Sequence, residues 1–143
     1  MIDEIAFNKA LLQIVEKRNI LFTMNYNDDG YDDVEEELHD VEDDFNEDYE
    51  DFLTEILEKA HAVIKSDADI LLPTAYIASF YKEEDEVDED GAKVYSIPVE
   101  TGVYTETEDY SSETDTRIVF MPSPARLIYI VNGAMSKELW RLK

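Results

Sequence analysis

The sequence predicts an α+β domain in which two helices precede a mainly antiparallel sheet. Apolar residues recur at helical spacing through residues 1–66, whereas short β-rich segments separated by turns follow from residue 70 onward. Helices and strands that are segregated along the chain are typical of this class. The chain has 143 residues, the size of one ordinary domain, and no linker or internal repeat divides it. We therefore expect a single domain with a helical front (1–66) and a strand-rich back (70–143).

The first predicted helix is amphipathic and covers residues 3–17. The next segment, 19–26, is short and rich in β-forming residues, so it is either a strand or the end of this helix. The apolar residues of the helix form two adjacent stripes, with Ile5, Leu12 and Val15 in one and Phe7, Leu11 and Ile14 in the other.

The second predicted helix covers roughly residues 33–65 and is the clearest element in the sequence. Its apolar residues recur mostly at steps of three, four and seven, so they share one face. An unbroken helix of this length would reach about 50 Å, and a break near Asn46 is left open. The apolar residues are Val34, Leu38, Val41, Phe45, Tyr49, Phe52, Ile56 and Val63.

The strand-rich back begins with a predicted pair of strands at 76–82 and 93–99. A mobile, strongly negative loop at 83–91 is predicted between them, because seven of the eight residues from 83 to 90 are acidic. Pro98 has no backbone N–H group to donate, so its strand is expected to end there or to lie at an edge of the sheet.

A second predicted pair of strands covers 116–121 and 126–131, on either side of the turn Pro-Ser-Pro-Ala. Asn132-Gly133 is a turn signal that follows the second of these strands. The last stretch, 134–143, is predicted to form a short C-terminal helix.

The charge of the chain limits its partners. The sequence contains 36 acidic and 12 basic residues, which gives a formal net charge of −24. Such a protein cannot readily neutralise phosphates, so direct binding to nucleic acid or to an anionic membrane is not expected. A basic protein surface or a cation fits its field better. The oligomeric state is left open.

The chain contains no cysteine, which excludes disulfides and thiolate chemistry and is typical of a cytoplasmic protein. Its acidic N-terminus also lacks the pattern of a signal peptide, and no apolar run approaches the length of a membrane span. No nucleophile elbow, phosphate loop or dinucleotide fingerprint is present, so we predict a non-enzymatic protein without a cofactor.

Residues 25–36 partly match a calcium-binding EF-hand loop. With Gly30 at the sixth position of that motif, the oxygen-bearing side chains that fall at ligand positions are Asn25, Asn27, Asp29, Asp33 and Glu36. Two departures weaken the match: an asparagine replaces the usual aspartate at position one, and Asp32 stands where an aliphatic residue belongs. No second loop of this kind follows. We prefer an acidic turn whose Asp32 or Asp33 caps the second helix, and keep the calcium site as an alternative.

Sixteen acidic residues and no Lys or Arg lie between Asp28 and Glu55. Many of these carboxylates are four residues apart on the second helix, where like charges repel one another. We predict that this surface binds a basic protein, with a nucleic-acid mimic as a sharper alternative, because regularly spaced carboxylates could imitate a row of phosphates. The predicted partner-binding residues are Asp40, Asp43, Asp44, Glu47, Asp48 and Asp51.

Two further patterns are weaker. Glu36-x-x-His39 and Glu58-x-x-His61 have the spacing of di-iron ligands, but they lie away from the apolar face, so two solvated or boundary histidines are predicted. Arg117 and Arg126 lie near the aromatic residues of the last strands. They indicate either a small pocket for an acidic or planar ligand or, as we prefer, arginines that balance charge on a sheet.

Overall fold

The structure is a computed structural model that describes residues 3–88, 91–98, 101–107 and 114–142. Two helices are followed by two antiparallel sheets, which confirms the predicted α+β class. Among the described residues, no helix is both long enough and apolar enough to cross a membrane.

Helix α1 runs from Glu4 to Thr23, so residues 19–23 of the segment 19–26 belong to the end of the helix and residues 24–26 lie outside it. The side chain of Asp3 caps its start by accepting hydrogen bonds from two backbone N–H groups, at 3.0 and 3.1 Å. The stripe that enters the core is Phe7, Leu11, Ile14 and Val15. The predicted stripe of Ile5, Leu12 and Val15 is divided, because Ile5 is 83% exposed, Leu12 is half-buried and Val15 belongs to the core.

Helix α2 runs without interruption from Tyr31 to Val63, and the 33 residues span about 50 Å. No break occurs at Asn46. Its side-chain amide instead donates to the Oγ1 of Thr74 at 3.1 Å, so this polar residue connects the helix to the segment that follows. The N-terminal cap position is Gly30, in the left-handed conformation, and no side chain caps the helix. The prediction that Asp32 or Asp33 caps α2 is therefore wrong, since both residues lie inside its first turn.

The buried face of α2 rotates along its length. Leu38 and Phe45 are buried in the first half, and Leu53, Leu57 and His61 in the second. At about 100° per residue, Leu57 lies about 100° around the helix from Leu38. Helix α2 packs on α1 and on the short 3₁₀ helix that follows, where the His61 ring meets the Tyr76 ring.

The segment after α2 differs from the prediction. A 3₁₀ helix, Pro73–Tyr76, takes in the first residue of the predicted strand 76–82, and β1 covers Lys82–Val87. Strand β1 thus begins at the last residue of that predicted strand and continues into the predicted mobile loop 83–91, of which residues 89 and 90 lie outside the described ranges. It pairs antiparallel with β2, Lys93–Ser96. The acidic run can form a strand because this two-stranded hairpin leaves its carboxylates in water. Strand β2 ends just before Pro98, in agreement with the prediction.

The main sheet has the order β3-β4-β5-β6 and is antiparallel. Strand β3 is Val103–Tyr104, and β4 and β5 are Thr116–Met121 and Arg126–Val131, as predicted. Strand β6, Ala134–Arg141, lies where a helix was predicted, and that prediction is wrong.

The turn at Asn132-Gly133 explains this difference. Both residues have positive φ angles, 50° and 82°, and the two-residue loop pairs Ala134 with Val131. Asn-Gly is a strong signal for such a hairpin. Once the chain turns back along β5, strand pairing outweighs the modest helix propensity of the last residues.

The helices and the main sheet share one hydrophobic core. Trp140 of β6 lies against the rings of Phe7 and Phe52, with centroids 6.4 and 6.3 Å away. Arg18 connects α1 to α2 and to the segment that follows the 3₁₀ helix. Its guanidinium donates to the Ile77 carbonyl at 2.6 Å and to Glu42 of α2 at 2.5 Å. These contacts hold α2 in a defined position with its opposite side in water.

Candidate functional site

The candidate site is the solvent-facing side of α2, which we call the outer face. The outer face is limited to six exposed carboxylates between Asp40 and Asp51, which occupy an arc of about 140° opposite Leu38. Along the axis they span about 16 Å. The structure therefore brings all of the predicted partner-binding residues together on one surface, and they are Asp40, Asp43, Asp44, Glu47, Asp48 and Asp51.

Ion pairs divide the carboxylates of α2 into two sets. On the side that meets α1, Glu37 accepts from Lys17 at 2.6 Å and Glu42 from Arg18 at 2.5 Å. Nearer the C-terminus, Glu55 lies 3.5 Å from Lys59. In the described part of the chain, no Lys, Arg or His nitrogen lies within 4.0 Å of an outer-face carboxylate. Ion pairs among the described residues therefore do not balance the charge of the outer face.

The aromatic core opposite the outer face holds the helix in place despite this charge. Phe45 packs on Phe7 with ring centroids 5.5 Å apart, and Tyr49 meets the same ring at 4.9 Å. The packing offsets the repulsion between outer-face carboxylates, which costs about 0.2–0.5 kcal/mol for each pair four residues apart. The carboxylates are therefore arranged in advance, and a partner need not order the helix.

The residues of the predicted calcium loop form a closed turn. The Asn25 N–H donates to the Asp28 carboxylate at 2.8 Å, and the Asp28 N–H donates to the Asn25 carbonyl at 2.8 Å. Asn27 and Asp29 are exposed within this turn. Because α2 already begins at Tyr31, the remaining two proposed ligands, Asp33 and Glu36, lie on the helix.

No group of three or more His, Cys, Asp or Glu side chains in the described ranges is placed to hold a metal ion. The turn that leads into α2 agrees with the acidic-turn interpretation, except that Gly30 and not Asp32 or Asp33 occupies the cap position. The calcium site stays a prediction, and it would require the first turn of α2 to rearrange.

The two histidines of α2 have different environments. His39 is exposed, as predicted, but His61 is only 3% exposed, so the prediction of a solvated or boundary residue is wrong. The Nε2 atom of His61 lies 2.9 Å from the hydroxyl of Tyr76. Burial lowers the pKa of His61 below its usual value of 6.5. The error follows from the rotation of the buried face of α2, which the spacing of residues 34–56 does not indicate.

Arg117 and Arg126, the two arginines considered for a ligand pocket, also have different environments. Arg117 pairs with Asp115 at 2.7 Å and lies over the Tyr104 ring at 6.0 Å, which suits a charge-balancing role. Arg126 is only 6% exposed, and burial lowers the pKa of its guanidinium. It donates to the carbonyl oxygens of Lys93, Pro122 and Pro124, at 2.8, 2.9 and 3.1 Å. Arg126 thus attaches the β1–β2 hairpin to the turn between β4 and β5.

Comparison with known proteins finds no relative of this chain. No family model matches the chain, and no curated protein or solved structure matches it either.

Proposed function

We propose that the protein is a non-enzymatic interaction module that binds a basic protein surface through the outer face of α2. The observation that supports this role is the set of six exposed carboxylates with no described cation within 4.0 Å. Such a surface attracts a positively charged partner and accelerates its association. We propose that the protein acts in the cytoplasm, and its lack of cysteine is compatible with that location.

Binding would also relieve a cost within the protein. Asp40 and Asp44, Asp44 and Asp48, and Glu47 and Asp51 are each four residues apart on the helix, where like charges destabilise it. A basic partner would neutralise these carboxylates. Because the opposite side of α2 is packed into the core, the partner would gain this energy without having to fold the helix.

The test compares two variants that remove four carboxylates each. Binding of an octalysine peptide is measured by calorimetry at fixed ionic strength. The outer-face variant carries Asp43→Asn, Asp44→Asn, Glu47→Gln and Asp48→Asn. The β1 variant, which changes net charge equally, carries Glu83→Gln, Glu84→Gln, Asp85→Asn and Glu86→Gln.

We expect the outer-face variant to bind octalysine roughly tenfold more weakly than the unchanged protein. The β1 variant should bind nearly as well as the unchanged protein. Equal losses in both variants would mean that net charge alone attracts the peptide, and the proposal would then fail.

Two alternatives have their own readouts. A nucleic-acid mimic would compete with a DNA duplex for a DNA-binding protein. The outer-face variant would then displace the duplex less effectively than the unchanged protein. A calcium-binding protein would show saturable binding at micromolar calcium, which Glu36→Gln would abolish. Weak, salt-sensitive calcium binding without saturation would remove the second alternative.

A further inference from the structure

A cleft of about 190 Å³ separates the β1–β2 hairpin from the main sheet. An engineered apolar cavity of about 150 Å³ is large enough to hold benzene, so this cleft has room for one six-membered ring. On the hairpin side the cleft is lined by Asp88 and by β2. On the sheet side it is lined by residues of β4, β5 and β6. Its apolar walls consist of Val94, Tyr95, Met121, Ile128 and Met135.

The cleft differs in charge from the rest of the molecule. Lys93, Arg126 and Lys137 line it, and these are three of the 12 basic residues in a chain that has 36 acidic ones. Among the described residues, two acidic ones, Asp88 and Glu138, line it as well. The described part of the lining therefore carries a small excess of positive charge in a strongly negative protein.

Both lining carboxylates are already engaged by arginines. Glu138 accepts two hydrogen bonds from Arg141, at 2.7 and 2.8 Å, and its pKa is lowered chiefly by this contact. The Asp88 carboxylate lies 3.3 Å from Arg141 and 3.5 Å from Arg126. Their negative charge is thus largely balanced within the protein.

The cations of the lining are not equally available. Lys93 lies 3.1 Å from Glu83, and Arg126 is held by backbone carbonyls and Asp88. Lys137, on the exposed part of β6, has no carboxylate within 4.0 Å in the ranges that the structure describes. Its ammonium group is therefore the cation at the cleft that can accept an anionic ligand.

We propose that this cleft binds a small planar carboxylate whose apolar part is about one ring in size. The carboxylate pairs with Lys137, and the ring lies among Met121, Ile128 and Met135. Apolar walls with a few polar groups are typical of ligand sites, and methionine sulfur makes favourable contacts with aromatic rings. The site is separate from α2 and does not depend on the function proposed for that helix.

The test is an NMR titration of the full chain with three probes of the same shape: benzoate, benzamide and benzylammonium. Ionic strength is held constant, and backbone amide shifts are followed. Benzoate should give saturable shifts in the cleft-lining residues of β2, β5 and β6. Benzamide and benzylammonium should bind clearly more weakly, because neither can pair with Lys137.

Two variants locate the ligand. Lys137→Met should weaken benzoate binding by roughly threefold, whereas Lys59→Met, which removes the same charge from an exposed site on α2, should leave it unchanged. Met135 is 53% exposed, so Met135→Glu should be tolerated and should repel benzoate through its added carboxylate.

Three results would overturn the proposal: shifts that do not saturate or lie outside the cleft, equal affinity for benzamide, or equal losses in the Lys137 and Lys59 variants.

Discussion

Two acidic segments of this protein present their charge in different ways. In α2 the helical period collects six carboxylates on one side, whereas in β1 the period of two sends successive carboxylates to opposite sides of the strand. The helix has the core behind it, while β1 pairs with β2 in a two-stranded hairpin. The period of the backbone, as well as the number of carboxylates, decides whether an acidic run becomes a concentrated charged surface.

The segments also differ in how their charge is balanced. In β1, Glu83 pairs with Lys93, and Glu84 accepts a hydrogen bond from the hydroxyl of Ser96. In α2, the neighbouring helix supplies Lys17 and Arg18 to one flank, and no cation of the described residues pairs with the outer face. The comparison therefore predicts that charge removal affects the two segments unequally.

The largest effect should come from the core behind the outer face. Phe45→Ala removes a ring that is 1% exposed and packs on Phe7, so it should lower the free energy of unfolding by about 3–5 kcal/mol. Urea denaturation followed by circular dichroism measures this loss. Val87→Ala, at a position of β1 that is 62% exposed, is the control and should change little. Similar losses in both variants would contradict the claim that α2 depends on its core.

The second-largest effect should be a gain in stability when carboxylates of the outer face are neutralised. The outer-face variant removes four repulsive pairs, Asp40–Asp44, Asp43–Glu47, Asp44–Asp48 and Glu47–Asp51, so it should raise the free energy of unfolding by about 1–2 kcal/mol at low salt. Thermal melts in increasing sodium chloride should show that this gain shrinks as screening increases. A gain that does not depend on salt would exclude electrostatic repulsion as its cause.

A smaller effect concerns pH and His61. The pKa of buried His61 is lowered in the folded state, so below pH of about 6.5 the unfolded chain binds a proton that the folded chain does not. The resulting stability is present above this pH and is lost as the pH falls, by at most about 1.4 kcal/mol per unit. Urea melts between pH 7.5 and 5.5 measure this loss.

The control for this pH dependence is the exposed histidine of the same helix. His39→Gln should keep the wild-type decline in stability, whereas His61→Gln should flatten it. An unchanged decline in the His61 variant would assign the effect to carboxylates instead.

The smallest effect is expected in the hairpin. The β1 variant removes as many carboxylates as the outer-face variant, but it also loses the contacts of Glu83 and Glu84 with β2. Gains and losses should therefore nearly cancel, and the melting temperature at low salt should stay close to that of the unchanged protein. If the melting temperature of the β1 variant rose as much as that of the outer-face variant, the two acidic segments would not differ in their electrostatic repulsion.

Local patterns in the sequence determined a large part of this fold. The apolar spacing identified α2, and the β-rich runs identified β4 and β5 at their observed bounds. The exposure of the outer face followed from the same spacing, since a residue about 180° from the apolar stripe lies in water. The Asn132-Gly133 signal for a hairpin was also present, although the helix predicted after it was wrong.

Tertiary structure decided the remaining features, because they depend on residues that are distant in sequence. Strand β6 forms through pairing with β5 and packing of Trp140 on Phe7. His61 is buried because Tyr76 and the second half of α2 meet there. The balance of charge on α2 depends on Lys17 and Arg18 of the neighbouring helix. Periodicity shows which side of an element is apolar, but the partner that packs against that side decides which polar groups are buried, paired or left in water.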